Sequence, residues 1–163
     1  MYKRSLFILI TILLTGTAVN AQEILKGYTT VEKLSANSRI FPVYVNRYEP
    51  VPDVIDSLNS VSDSVRIMVY MGTWCKESKR YIPELVKTLA ETRNPAIDPV
   101  YIAVGYPRED ITGTMQKFSV TKIPTIIVMK NGGEIGRIEE KPLLSIEEDL
   151  WNIIARPAHL TSD

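Results

Sequence analysis

The chain has 163 residues, 19 basic and 19 acidic side chains, one histidine and one cysteine, and 45% of its residues are apolar. That length suits a single domain with a hydrophobic core of its own. The apolar content argues against a disordered chain, the balanced charge against the basic stripe that nucleic acid requires, and a lone cysteine rules out an internal disulfide.

In chain order, Lys3 and Arg4 precede an apolar run from Leu6 to Leu14, and Val19-Asn20-Ala21 follows as a small-residue cleavage site. This is the layout of a secretory signal peptide over residues 1–21. The competing reading is a membrane anchor, but a span needs about 20 apolar residues and this run is shorter. No cysteine lies near the cleavage site to accept a lipid. The expected product is therefore exported, to the periplasm or outside the cell, without a stable membrane span. Its 19 basic residues lose Lys3 and Arg4 and become 17, against 19 acidic.

Residues 22–61 read as an N-terminal extension ending in a first helix. Phe41-Pro42-Val43-Tyr44-Val45 is expected as a short strand, confined to an edge by Pro42. Pro52 and Asp53 start a helix through Leu58. Val65 to Met71 is a β-favouring run suited to a central strand. Trp74, Cys75, Tyr81, Ile82, Leu85, Val86 and Leu89 then repeat at helical spacing until Asn94-Pro95. Pro99 to Val104 is a second buried strand, and residues 108–118 a helix interrupted by Gly113.

Thr125 to Met129 and Glu134 to Ile138 form a hairpin around Asn131-Gly132-Gly133. Ser145 caps a last helix whose first turn carries Glu147 and Glu148. The order β-α-β-α-β-β-α predicts one α/β domain over residues 62–156, preceded by the extension and followed by a tail, 157–163.

Cys75 carries the chemical interest. An unpaired thiol in an exported chain is either reactive toward a partner or a buried, inert hydrophobe. Its place at a helix start, where unpaired N–H groups and the dipole favour a thiolate, supports the reactive reading. Lys76, Lys79 and Arg80 add positive charge nearby, and Glu77 opposes it. Ser78, one turn on, either donates to the sulfur or caps the local backbone. His159 falls in the tail with no signature of a Cys–His pair, and one Cys with one His makes no metal site. Neither a metal nor any other cofactor is expected. The acids Glu139-Glu140 and Glu147-Glu148-Asp149 read as solvated surface and helix-start charge.

Trp74-Cys75-Lys76-Glu77-Ser78 resembles the Trp-Cys-x-x-Cys site of the thioredoxin family with serine in place of the second cysteine. Pro83, eight residues after Cys75, matches the proline of the family's active-site helix. Lys117 to Thr125 is similar to the segment bearing its cis-proline, and Lys130 to Glu134 to the hairpin that follows. The resemblance spans roughly residues 62–155. It implies a thioredoxin fold: a central mixed sheet flanked by helices, here with the N-terminal extension. It further implies that Pro124 is cis and lies against the Cys75 sulfur, that Trp74 flanks the thiol, and that Thr73, Ile123 and Pro124 border the substrate. Two departures coincide. Ser78 cannot resolve a mixed disulfide, and Val69 stands where the family has a buried aspartate.

Three functions follow as expectations. The first is a monothiol that forms mixed disulfides with thiol- or disulfide-bearing partners, Cys75 attacking and another thiol resolving. The second is a non-redox module that binds an extended peptide beside Pro124 and Trp74. The third is a homodimer linked through Cys75.

Overall fold

The computed structural model describes residues 23–156. The signal-peptide reading, the tail and His159 lie outside them. Five strands make one sheet: β1 (Gly27–Thr29), β2 (Val65–Met71), β3 (Ile97–Ala103), β4 (Thr125–Lys130) and β5 (Gly133–Glu139). Their spatial order is β1-β3-β2-β4-β5. The apolar run Val65–Met71 occupies the centre, parallel to β3 and antiparallel to β4. β5 closes the hairpin on β4 and β1 pairs antiparallel with β3.

Six helices complete the described residues: α1 (Val31–Asn37), α2 (Phe41–Arg47), α3 (Pro52–Asn59), α4 (Lys76–Thr92), α5 (Thr114–Lys117) and α6 (Ile146–Ile154). Side-chain caps set two of the starts. Thr30 accepts from the Lys33 amide ahead of α1, and Ser145 from the Glu148 amide ahead of α6. Pro52 opens α3, where its missing N–H costs nothing.

The alternation of β2 divides the interior in two. Val65, Ile67, Val69 and Met71 face a large core with Ile82 and Leu85 of α4 and Leu150 and Ile153 of α6. Leu34, Phe41, Ile55 and Leu58 of α1 to α3 join that same cluster. The N-terminal extension is thus packed into the main core and supplies an edge strand to the sheet. Met68 and Tyr70 point the other way, into a smaller cluster with Cys75, Ile102, Val104, Val120, Ile123 and Ile127. Among the described residues, α5, its flanking loops and the Trp74-Cys75 turn cover this second face.

Three expectations are corrected. Residues 41–45 are helical, within α2, not an edge strand. Val43, Tyr44 and Val45 favour strands, but Phe41 is buried and Val45 packs against the same core four residues on, a helical spacing that tertiary packing rewards.

Residues 108–118 are not one helix, because only Thr114–Lys117 is helical. Gly113 has φ +70° and Arg108 φ +86°, both left-handed. The Asp110 carboxylate takes the Thr112 amide at 2.9 Å and the Met115 amide at 2.7 Å, so a side chain competes for the N–H groups a helix would use.

The acid cluster is only partly solvated, since Glu147 is 1% and Asp149 9% exposed. Asp149 accepts from the amides of Leu143 and Leu144, and Glu147 from Tyr48 and Val51. These carboxylates tie loops to α6 as well as facing its positive end.

Candidate active site around Cys75

Strand β2 ends at Met71, and Gly72-Thr73-Trp74 turns the chain into α4 with Cys75 as the N-cap residue. The Cys75 amide donates to the Gly72 carbonyl at 3.0 Å, and the Cys75 carbonyl accepts from Lys79 at 3.1 Å. The turn is tight at Gly72. A Cβ at Gly72 would lie 3.0 Å from the Trp74 indole and 3.2 Å from Ile123.

Ser78 is fully buried, and its hydroxyl oxygen accepts from the Gly72 amide at 3.1 Å. Of the two roles open to it, Ser78 takes backbone capping, and its position is structural in this state. Pro83 sits inside α4, buried. Val69 is fully buried among the helix-side apolar residues, so no carboxylate stands there.

The Ile123–Pro124 bond is cis, as expected, and so is Tyr106–Pro107. The Cys75 sulfur lies 3.4 Å from the Ile123 carbonyl oxygen and 3.4 Å from Glu77 Oε2. One thiol proton therefore has two acceptors to choose between. Cys75 is buried in this arrangement, 7% exposed.

Trp74 flanks the site. Its indole N–H donates to the Val104 carbonyl at 3.0 Å, and its ring meets the exposed Tyr106 edge-on with centroids 5.2 Å apart. Thr73 is turned elsewhere: its hydroxyl donates to the Glu23 carbonyl and accepts from the Leu25 amide, both at 3.4 Å. The N-terminal segment thus lies against the Cys75 loop on that side.

Cys75, Trp74, Ser78, Ile123 and Pro124 are gathered into one place, with Thr73 at its rim. Sequence reasoning noted Glu77 only as an opposing charge and missed it as the acceptor of the thiol. It also missed Tyr106 and the turn at Glu140, whose amide donates to the Pro124 carbonyl at 2.7 Å. Tyr106 lies between the strand and the helix that the sequence suggested, and the Asp110-x-Thr112 turn, readable as an Asx motif, fell inside the stretch read as that helix. Burial works against the Asp110 carboxylate, but the Thr112 hydroxyl and the amides of Met115, Thr112 and Gly113 outweigh it and hold that group below its ordinary range.

No protein-family model matches the chain. Over 76 residues it is 30% identical to thioredoxin from Echinococcus granulosus, a match covering 47% of this chain and 65% of that protein. The fold is thioredoxin-like. Its mixed sheet flanked by helices and the cis-proline facing Cys75 have the arrangement the sequence resemblance implied.

Among solved structures, a protein of unknown function from Pseudomonas aeruginosa superposes with a TM-score of 0.59 at 15% identity, over 79% of this chain and 90% of that one. An HIV epitope scaffold superposes with a TM-score of 0.55 at 17% identity, over 78% and 82%. Both likenesses extend beyond the segment matched to thioredoxin and concern the fold alone. No described residues form a group of three or more His, Cys, Asp or Glu arranged to hold a metal. No helix among the described residues is long and apolar enough to cross a membrane.

Proposed function

We propose that this chain is an exported, thioredoxin-like protein that works through one thiol. Cys75, as thiolate, attacks one sulfur of a partner disulfide; the disulfide bond breaks, and the second sulfur leaves as a thiolate that takes up a proton. A second thiol, from another molecule, then attacks the mixed disulfide and releases Cys75. The observation that carries this reading is the Cys75 sulfur at the head of α4, 3.4 Å from the Ile123 carbonyl beside Pro124. Export rests on the leader pattern of Lys3, Arg4 and Leu6 to Leu14.

The test is the alkylation rate of Cys75 as a function of pH, with trapping of partners on non-reducing gels. The expected result is a thiol alkylated faster than free cysteine at neutral pH, and disulfide adducts that vanish in Cys75→Ser. Ordinary reactivity without adducts would sink the proposal. A second reading is favoured by the 7% exposure of Cys75: a peptide-binding module in which the thiol only packs. Under that reading Cys75→Ser retains its partners.

A further inference from the structure

Next to the thiol lies an open groove of about 360 Å³, lined by Lys76, Glu77, Arg80, Tyr81, Glu140 and Lys141. Each of its walls is one hydrogen bond from the reactive site. On the α4 side, Glu77 accepts from the Cys75 sulfur; on the other, the Glu140 amide donates to the Pro124 carbonyl. Lys76 and Glu77, next to Cys75 at the head of α4, line the groove, which makes it the charged surface beside a group attached to a sulfur bonded to Cys75. Its volume is that of a small-ligand site, or of one or two side chains of a bound peptide.

The charges along it are not evenly committed. Glu140 pairs with Lys122 at 3.1 Å, outside the groove, whereas Glu77 is held only by the thiol proton and keeps its negative charge once Cys75 reacts. Arg80 lies over the Tyr81 ring at 5.0 Å and reaches Glu84 at only 3.9 Å. Lys76 and Lys141 are exposed and make no ion pair among the described residues. Glu140 is thus paired outside and Glu77 is the one acid left to oppose Lys76, Arg80 and Lys141, so positive charge prevails in the groove.

Resting on the exchange chemistry proposed above, we infer that this groove selects disulfides whose flanking groups carry carboxylates, Lys76 and Lys141 taking the negative charge and Arg80 assisting. The shared chemistry is an anionic substituent one to three bonds beyond the attacked sulfur, whether on a small thiol or on an acidic peptide. The reaction balances without an added oxidant: one S–S bond breaks, one forms at Cys75, and one thiolate leaves.

The test uses the full chain after leader removal and three symmetric disulfides: dithiodipropionate (anionic), bis(2-hydroxyethyl) disulfide (neutral) and cystamine (cationic). Mixed-disulfide formation on Cys75 is followed by mass, and each rate is divided by that of the same disulfide with 2-mercaptoethanol. The expected order is anionic, then neutral, then cationic, with the anionic probe favoured about fivefold over the neutral one at low salt. High salt and the double variant Lys76→Gln/Lys141→Gln should each bring that ratio near one.

Equal normalised rates, or a preference for cystamine, would overturn the inference while leaving exchange at Cys75 intact. Reaction with none of the three would overturn the proposed function and this inference together. A preference for an acidic peptide disulfide that dithiodipropionate does not share would assign the selection to contacts outside the groove, and so against it.

Discussion

The Tyr48 hydroxyl donates to one carboxylate oxygen of Glu147 at 2.7 Å, and the Val51 amide donates to the other at 3.1 Å. Glu147 is 1% exposed, so a single buried carboxylate fastens the segment between α2 and α3 to the first turn of α6. Glu147→Ala leaves a hydroxyl and an amide without an acceptor and should cost about 3 kcal/mol, with Glu147→Gln costing about half of that. Urea unfolding measures both, and losses near zero would mean that the junction carries no stability.

The same pair sets an alkaline limit. Burial first, and then the hydrogen bond to Glu147, raise Tyr48 well above the ordinary phenol range. Burial also raises Tyr101, with the Glu32 charge adding to it. A raised folded-state value keeps its stabilising contribution intact below the unfolded value of about 10 and loses it as pH rises toward the folded value. Stability should therefore fall above about pH 10, and Tyr48→Phe should flatten the fall in a pH series of denaturant midpoints.

Ser78 is the position that separates this chain from a dithiol. Ser78→Cys places a second thiol one helical turn from Cys75, and the expected outcome is an internal disulfide on mild oxidation, seen as the loss of both titratable thiols. Because Ser78 now accepts the buried Gly72 amide, Ser78→Ala should cost about 1–2 kcal/mol, measured by thermal or urea unfolding. Two thiols that stay free under oxidised glutathione would show that this helix start is not shaped for a Cys-x-x-Cys bridge.

Thr88 offers a stabilising change. It is fully buried in α4, and its hydroxyl has no hydrogen-bond partner among the described residues. Thr88→Val keeps the shape and the helix propensity while removing a desolvated polar group, so a gain of about 1 kcal/mol is expected in urea. A loss of that size would mean that the hydroxyl is satisfied, for example by a buried water.

Much of the site was legible before any coordinates. Val65–Met71, the helix start at Cys75, Pro83, the Ile123-Pro124 pair and the hairpin turn each carry a local signal, because strand runs, helix starts and prolines are properties of a few neighbouring residues. What stayed hidden depends on residues far apart in the chain. The Cys75 sulfur meets the Ile123 carbonyl across 48 residues of chain. Glu140 reaches Pro124 only because β5 returns alongside β4. Glu147 looked like helix-start charge, which it is, but its burial comes from Tyr48 and Val51, almost a hundred residues earlier.

By itself, then, the sequence determined an α/β domain with one thiol at a helix start and no second thiol to resolve it, since these follow from periodicity, composition and local motifs. Tertiary structure decided that Phe41–Arg47 is a helix, that the extension packs into the main core, and that β1 runs antiparallel to β3. It also decided the surroundings of Cys75: a carbonyl and a carboxylate each 3.4 Å away, and a charged groove beside them. Local propensity is worth tenths of a kcal/mol per residue, whereas burying one large side chain is worth about 2 kcal/mol, so packing prevails wherever the two disagree.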